Sequence, residues 1–309
     1  MSQAAALAAE LRSVAGDSVR AVVLYGSHLL RTSPDRYSAA DLVVIVDDYR
    51  AFFTALARDR QLHRPVSLMT ALAKVLPPSV LAFAPRDEEL GIAKYLLISR
   101  DDFARTMGDD PADHFMIARM VQRTAVLWTA DEATAEWLHQ RFEQARHGVL
   151  RWVAPYLDEP VDAERLGRRM LEVCYAGELR PESTARASRI FQAQVGHFRA
   201  MFTPVLEAGA AAGILRRLDG RYEVAHPVTR GQRRRIRSYF RRSKTRATAR
   251  WLKHTVTFIN WLPYIQKKVE RHTGRSIELT RLERKLPIVF LWPRVIHVLL
   301  TRPRREIGS

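Results

Sequence analysis

Apolar positions along the chain alternate between two periods, and the change from one to the other divides the sequence. Residues 3–14 repeat alanine and leucine at helical spacing and lead into Arg20-AVVLYGS, a short β-branched run that stops at a Gly-Ser pair. After a polar stretch rich in Ser, Pro, Asp and Arg comes Asp41-LVVIVDD, a second continuous apolar run of the kind buried on both faces. Asp48-YRAFFTALARD then returns to helical spacing behind an acidic start. Pro77-Pro78 breaks the next helical stretch, and Ala93-KYLLIS predicts a third strand. Strands separated by helices make an α/β unit.

Beyond it the period is mainly helical, predicting helices over 113–128, 130–146, 164–174 and 184–206. A hairpin interrupts them at Leu215-RRLDGRYEVAH, with Asp219-Gly220 as its turn. The pattern divides the chain into an α/β domain over 1–130, a mainly helical domain over 131–230 and a basic segment over 231–309.

Charge sharpens that last division. From Arg230 onward there are 22 Lys and Arg against four Asp and Glu, in a chain of 309 residues whose net charge is +17. The basic character is therefore local, and such a segment prefers phosphates of a nucleic acid or of an anionic lipid surface. Its charges are interleaved with Ile236, Tyr239, Phe240 and Trp251, followed by Phe258, Trp261, Leu262 and Ile265. This predicts an amphipathic helix lying in a lipid interface, with nucleic-acid binding as the rival reading. The longest apolar run, Leu286 to Leu300, carries two prolines, Arg294 and His297 and falls short of the roughly 20 residues that a spanning helix needs. The lone Cys174 excludes an internal disulfide and reads as a small core residue. With no basic-then-apolar leader at the N-terminus, the expected place is the cytoplasm, peripherally on the inner face of the cell membrane.

One constellation carries chemistry. A Gly-Ser turn directly after a strand, then a loop, then an Asp opening a second strand is the layout of a nucleotidyltransferase site. Gly26 lets the backbone approach phosphates and Ser27 can donate a hydrogen bond to them. Asp41 is the candidate ligand for Mg²⁺, which would neutralise charge on a triphosphate. The second Asp usual two residues away is replaced by Ala39 and Val43, and Asp47 falls about 20 Å along the strand. Asp47 and Asp48 read instead as a helix cap. Completion of the metal site is then expected from elsewhere, for example Asp35, Asp101 or Asp102, failing which the fold would be an inactive lipid-binding homologue.

A single Asp at this place resembles the phosphatidate cytidylyltransferases of the mitochondrial translocator-assembly-and-maintenance type. Further segments resembling that family are Tyr25-GS, His63, Lys94-YLLIS, Ile117-ARMVQR, Tyr175-AGELR, His197-FRAMF and Trp251-LKHTVTFINWLPYIQKKVERHTG, in the family's order over roughly residues 20–275. The resemblance implies a polymerase-beta-like nucleotidyltransferase domain, a winged-helix-like domain and a C-terminal segment that meets the membrane. It also implies Mg²⁺-dependent transfer of a cytidylyl group from CTP to phosphatidic acid, giving CDP-diacylglycerol and pyrophosphate. Gly26 and Ser27 would bind the triphosphate, Asp41 the metal, Lys94 and Arg119 phosphates, and His63 would face the site. The chain departs from the family at His28, at Arg123-Thr124 and at Thr106. Transfer to RNA, a protein hydroxyl or a soluble metabolite is the alternative within the same enzyme class.

Overall fold

The computed structural model describes residues 3–30, 39–62, 64–83, 85, 91–177 and 184–257. Its first half is a five-stranded mixed sheet. Helix α1 (Gln3–Ala15) buries Ala4, Leu7, Ala8, Leu11 and Ala15, one stripe at helical spacing. It leads into β1 (Val19–Tyr25), the short α2 (Ser27–Leu30) and β2 (Ala40–Val46). Helices α3 (Tyr49–Arg58) and α4 (Val66–Val75) follow, then β3 (Ser79–Phe83), β4 (Ala93–Ser99), α5 (Arg100–Met107), α6 (Ile117–Met120) and β5 (Ala125–Thr129). Spatial order is β3-β4-β2-β1-β5, so β2 is central. It pairs antiparallel with β1 and parallel with β4, which explains why both runs are apolar at nearly every position. One sheet face packs with α1, α3 and α4 around Leu7, Leu11, Val44, Phe52, Phe53 and Leu97. Val23, Val43, Ile45 and Leu96 on the other face are also buried.

Two predicted helices are corrected and one strand is added. The stretch 113–128, expected as one helix, holds only the four residues of α6 before turning into β5. Its AVLWT run lies antiparallel to β1 at the sheet edge and is only half buried, so neither period dominates it. Strand β3, unforeseen, begins directly after the Pro77-Pro78 break, where SVLAF is too short to declare its own period. The helix expected over 184–206 is two, α10 (Thr184–Gln192) and α11 (Val195–Ala211). Between them Gln194 is buried, its Oε1 accepting from the Arg123 backbone N–H at 3.0 Å and its amide donating to Gln122 Oε1 at 3.2 Å.

The helices expected over 130–146 and 164–174 are α7 (Glu132–His147) and α9 (Ala163–Gly177), with the short α8 (Val149–Val153), unforeseen, between them. Asp131 caps α7 by accepting from the Thr134 N–H, and Asp48 caps α3 by accepting from the Ala51 N–H. The hairpin β6 (Leu215–Leu218) and β7 (Arg221–Val224) turns through Asp219 and Gly220 at φ 47° and 77°, as a two-residue turn requires. The 28-residue α12 (Arg230–Thr257) closes the described chain. Residues Met1–Lys253 form one compact unit and His254–Ser309 a second. No described helix is long and apolar enough to cross a membrane.

Helix α12 overturns one expectation. Tyr239 and Phe240, placed by the sequence on a lipid-facing side, pack inward against His114, with ring centroids 5.8 and 5.0 Å away. Ile236 is half buried too. The apolar face of this part of the helix is used by the protein's own core. Phe258, Trp261, Leu262, Ile265 and the run 286–300 lie outside the described residues, as does the side chain of Trp251.

Polar clasps fix the same helix. Asp113 accepts from Arg246 Nε at 2.8 Å and Arg250 Nη2 at 2.7 Å, and Arg250 also donates to the Pro77 carbonyl. Burial alone would raise the Asp113 carboxyl, but the two guanidiniums outweigh it and hold it low. Lys253 Nζ donates to the carbonyls of Leu76 and Pro78 and to Ser79 Oγ. Burial, helped by the Arg250 charge, pulls its pKa down to about 7.

Candidate functional site

The site begins with a turn that only glycine suits. Tyr25, the last residue of β1, pairs with Asp41 on β2, so the next residue, Gly26, lies against the Asp41 side chain. Gly26 has φ +78°, and a Cβ built there would lie 2.8 Å from Asp41 Oδ2. Its carbonyl accepts from the N–H groups of Leu29 and Leu30 at 3.2 and 3.1 Å, which turns the chain into α2 and places Ser27 at its first position.

Asp41 faces a cation across the central strand pair. The parallel register sets Asp41 beside Lys94, and Lys94 Nζ lies 3.7 Å from Asp41 Oδ1. The Asp41 and Lys94 side chains are 25% and 46% exposed, so the pair opens to solvent at one end of the inner strands β2 and β4, which are otherwise buried. Lys94 is therefore neither an isolated charge in the core nor a lysine merely reaching for water. A single carboxylate, a lysine and a glycine backbone with room for a close approach form a small concentration of groups suited to phosphate and a divalent ion.

The other carboxylates do not join it. Val46 pairs with Ser99, so Asp101 and Asp102, which follow Ser99, begin about 16 Å from Asp41 at the far end of the same strands. Asp102 is engaged there: it accepts from Tyr49 Oη at 2.7 Å and Ser99 Oγ at 2.8 Å and pairs with Arg105. Asp47 forms an ion pair with Arg20 Nε at 3.4 Å, and Asp48 is the cap of α3. Val43, two residues after Asp41, is fully buried. Asp35 and His63 lie outside the described residues. Among the described residues no group of three His, Cys, Asp or Glu could hold a metal ion. Asp41 alone still fits Mg²⁺ that arrives with a triphosphate, because this ion commonly takes one or two carboxylates and fills its shell with phosphate oxygens and water.

Arg119, in α6, has a different setting. Its Nη1 donates to the Phe115 carbonyl and its guanidinium lies 3.9 Å over the Phe115 ring, which Arg250 approaches at 4.6 Å. The structure thus brings together Gly26, Ser27, Asp41 and Lys94 and sets Arg119 in the polar cluster around Asp113. His197 is half buried, and burial lowers its pKa to about 4, in keeping with a core histidine. Two features had no signal in the sequence. One is the Asp41–Lys94 adjacency, which needs the strand register; the other is a cleft of about 930 Å³ among α8, the hairpin and α12, lined by Leu150, Trp152, Ile236 and Tyr239 with Arg235 and Arg242 at its walls.

No family model matches the chain, and no curated protein sequence matches it either. Among solved structures it is similar to the crystal structure of a nucleotidyltransferase-like protein from Exiguobacterium sibiricum 255-15. The two share 12% identity over 96% of this chain and 91% of that one, with a TM-score of 0.26. At that score the likeness carries neither the fold nor the activity of that protein to this chain.

Proposed function

We propose that the chain is a nucleotidyltransferase whose site is the edge formed by Gly26, Ser27, Asp41 and Lys94. The observation that carries the proposal is the packing of a left-handed glycine against a half-open carboxylate with a lysine 3.7 Å from it. The Gly26 backbone and Ser27 would receive the triphosphate, and Asp41 would hold Mg²⁺ against it. Mg²⁺, when bound, supplies neutralisation of triphosphate charge. Lys94 would neutralise a phosphate beside Asp41, which would offset the repulsion between an anionic acceptor and the nucleotide.

The finer reading rests on the resemblance described for the sequence. In it the nucleotide is CTP and the acceptor is phosphatidic acid. An ionised phosphatidate oxygen forms a bond to the α-phosphorus, the bond from that phosphorus to the bridging β-oxygen breaks, and pyrophosphate leaves. The attacking oxygen carries no proton to remove, so a site with one carboxylate needs no general base. The order α11, hairpin, α12 supports the winged-helix-like reading of the second domain.

The test incubates the full chain with α-labelled CTP, Mg²⁺ and vesicles containing phosphatidic acid, with ATP, GTP and UTP in parallel. Labelled CDP-diacylglycerol and unlabelled pyrophosphate are expected, and Asp41→Ala should abolish both. Transfer to a different acceptor would keep the enzyme class and remove the lipid. Absence of transfer to phosphatidic acid from all four nucleotides overturns the lipid reading, and full turnover by Asp41→Ala overturns the site.

A further inference from the structure

Helix α12 presents opposite chemistry on its two sides. Inward lie Ile236, Tyr239, Phe240, Ser243 and Arg250; Ser243 Oγ accepts from the His114 backbone N–H. Outward, Arg230, Arg234, Arg237, Arg241 and Lys244 are all exposed. Their spacing of four, three, four and three residues puts them in one straight row, about 21 Å long at the helical rise. None of the five makes an ion pair or side-chain hydrogen bond among the described residues, whereas Arg233 beside them donates to the Pro155 carbonyl. No Asp or Glu occurs from Arg230 to Thr257. A row of unpaired cations on a rigid helix is electrostatically unfavourable by itself and is complementary to a regular line of phosphates.

We infer that this row is a docking surface for the phosphodiester backbone of a nucleic-acid duplex, independent of what accepts at Asp41. The chemistry of the outer face favours it over a bilayer. Interfacial helices hold to lipid by an outward apolar side, and over Arg230–Arg250, where the side chains of α12 are described, no large apolar one is exposed. The same absence argues against single strands, which are held by stacking bases on exposed aromatic rings, because Tyr239 and Phe240 face the core. With backbone contacts alone, binding is indifferent to sequence and steeply dependent on salt.

The experiment measures binding of the full chain to labelled DNA and RNA duplexes of unrelated sequence, and to their separate single strands, across a salt series, without nucleoside triphosphate. Vesicles of phosphatidylglycerol are sedimented in parallel. Cations beyond α12 contribute to the absolute affinity, so the informative quantity is the change caused by the triple variant Arg234→Gln, Arg237→Gln, Arg241→Gln. This variant should melt as the parent does and lower the slope of log affinity against log salt by about 2–3. Equal binding of DNA and RNA supports backbone recognition; binding of one alone supports the surface and names its source. An unchanged slope, tighter binding to single strands than to duplex, or loss of vesicle binding with duplex binding intact overturns the inference.

Discussion

Gly26 shows how one residue can be required twice. Its φ of +78° costs any other L-residue about 1–2 kcal/mol, and a methyl group there would meet Asp41 Oδ2 at 2.8 Å. Gly26→Ala should therefore lower stability by about that amount and displace the carboxylate. Thermal melting and the CTP-transfer assay together check this; the expected fall in turnover is about 100-fold, larger than the small loss of fold explains. Of this site, Gly26, Ser27 and Asp41 were legible as residues because turn chemistry is local. Lys94 was named only through the family resemblance, and its place beside Asp41 was not legible, because it depends on a parallel strand pairing whose register involves every residue of β2 and β4.

At the level of elements, α12 is held by charge inside the molecule as well as by its apolar side. Arg250 is 1% exposed and shares the Asp113 carboxylate with Arg246. Removing that carboxylate leaves a guanidinium buried without its counter-ion, which costs about 3–5 kcal/mol. Asp113→Ala should lower the free energy of unfolding in urea by that order. Arg241→Gln on the outer face of the same helix should leave it unchanged. The sequence displayed this helix as one basic, aromatic stretch and could not say which arginines point inward. Arg246 and Arg250 differ from their neighbours only in where the turns of α12 meet Asp113 and the Pro77 carbonyl. Strand β5 was hidden for a related reason, since an edge strand that is half buried lacks the alternation that identifies an isolated strand.

Across the whole molecule, α6, α8, α9 and α12 meet around His114. Its Nδ1 lies 3.2 Å from Tyr239 Oη, its Nε2 lies 3.3 Å from Cys174 Sγ, and the Trp152 ring centroid is 4.4 Å away. Burial drives its pKa from 6.5 to about 3, against the smaller opposing pull of Asp113. Between those two values the unfolded chain binds a proton that the folded chain refuses, so stability is complete above pH 6.5 and falls as pH drops toward 3. Urea midpoints taken at neutral and mildly acidic pH should show a loss on the order of 2 kcal/mol, and His114→Gln should flatten that limb. His197, lowered to about 4, adds in the same direction. What the sequence by itself determined is what depends on local order: the apolar strands β1, β2 and β4, the glycine turn, the hairpin at Asp219-Gly220, the helix cap at Asp48 and the concentration of positive charge in the last quarter. Only the tertiary structure decided which cation faces Asp41, that Asp101 and Asp102 stand at the other end of the sheet, and that Tyr239 and Phe240 of α12 belong to the core while its outer row of cations stays exposed. Those facts follow from strand register and helix rotation, which arise from contacts among residues far apart in the chain and have no counterpart in the spacing of neighbours.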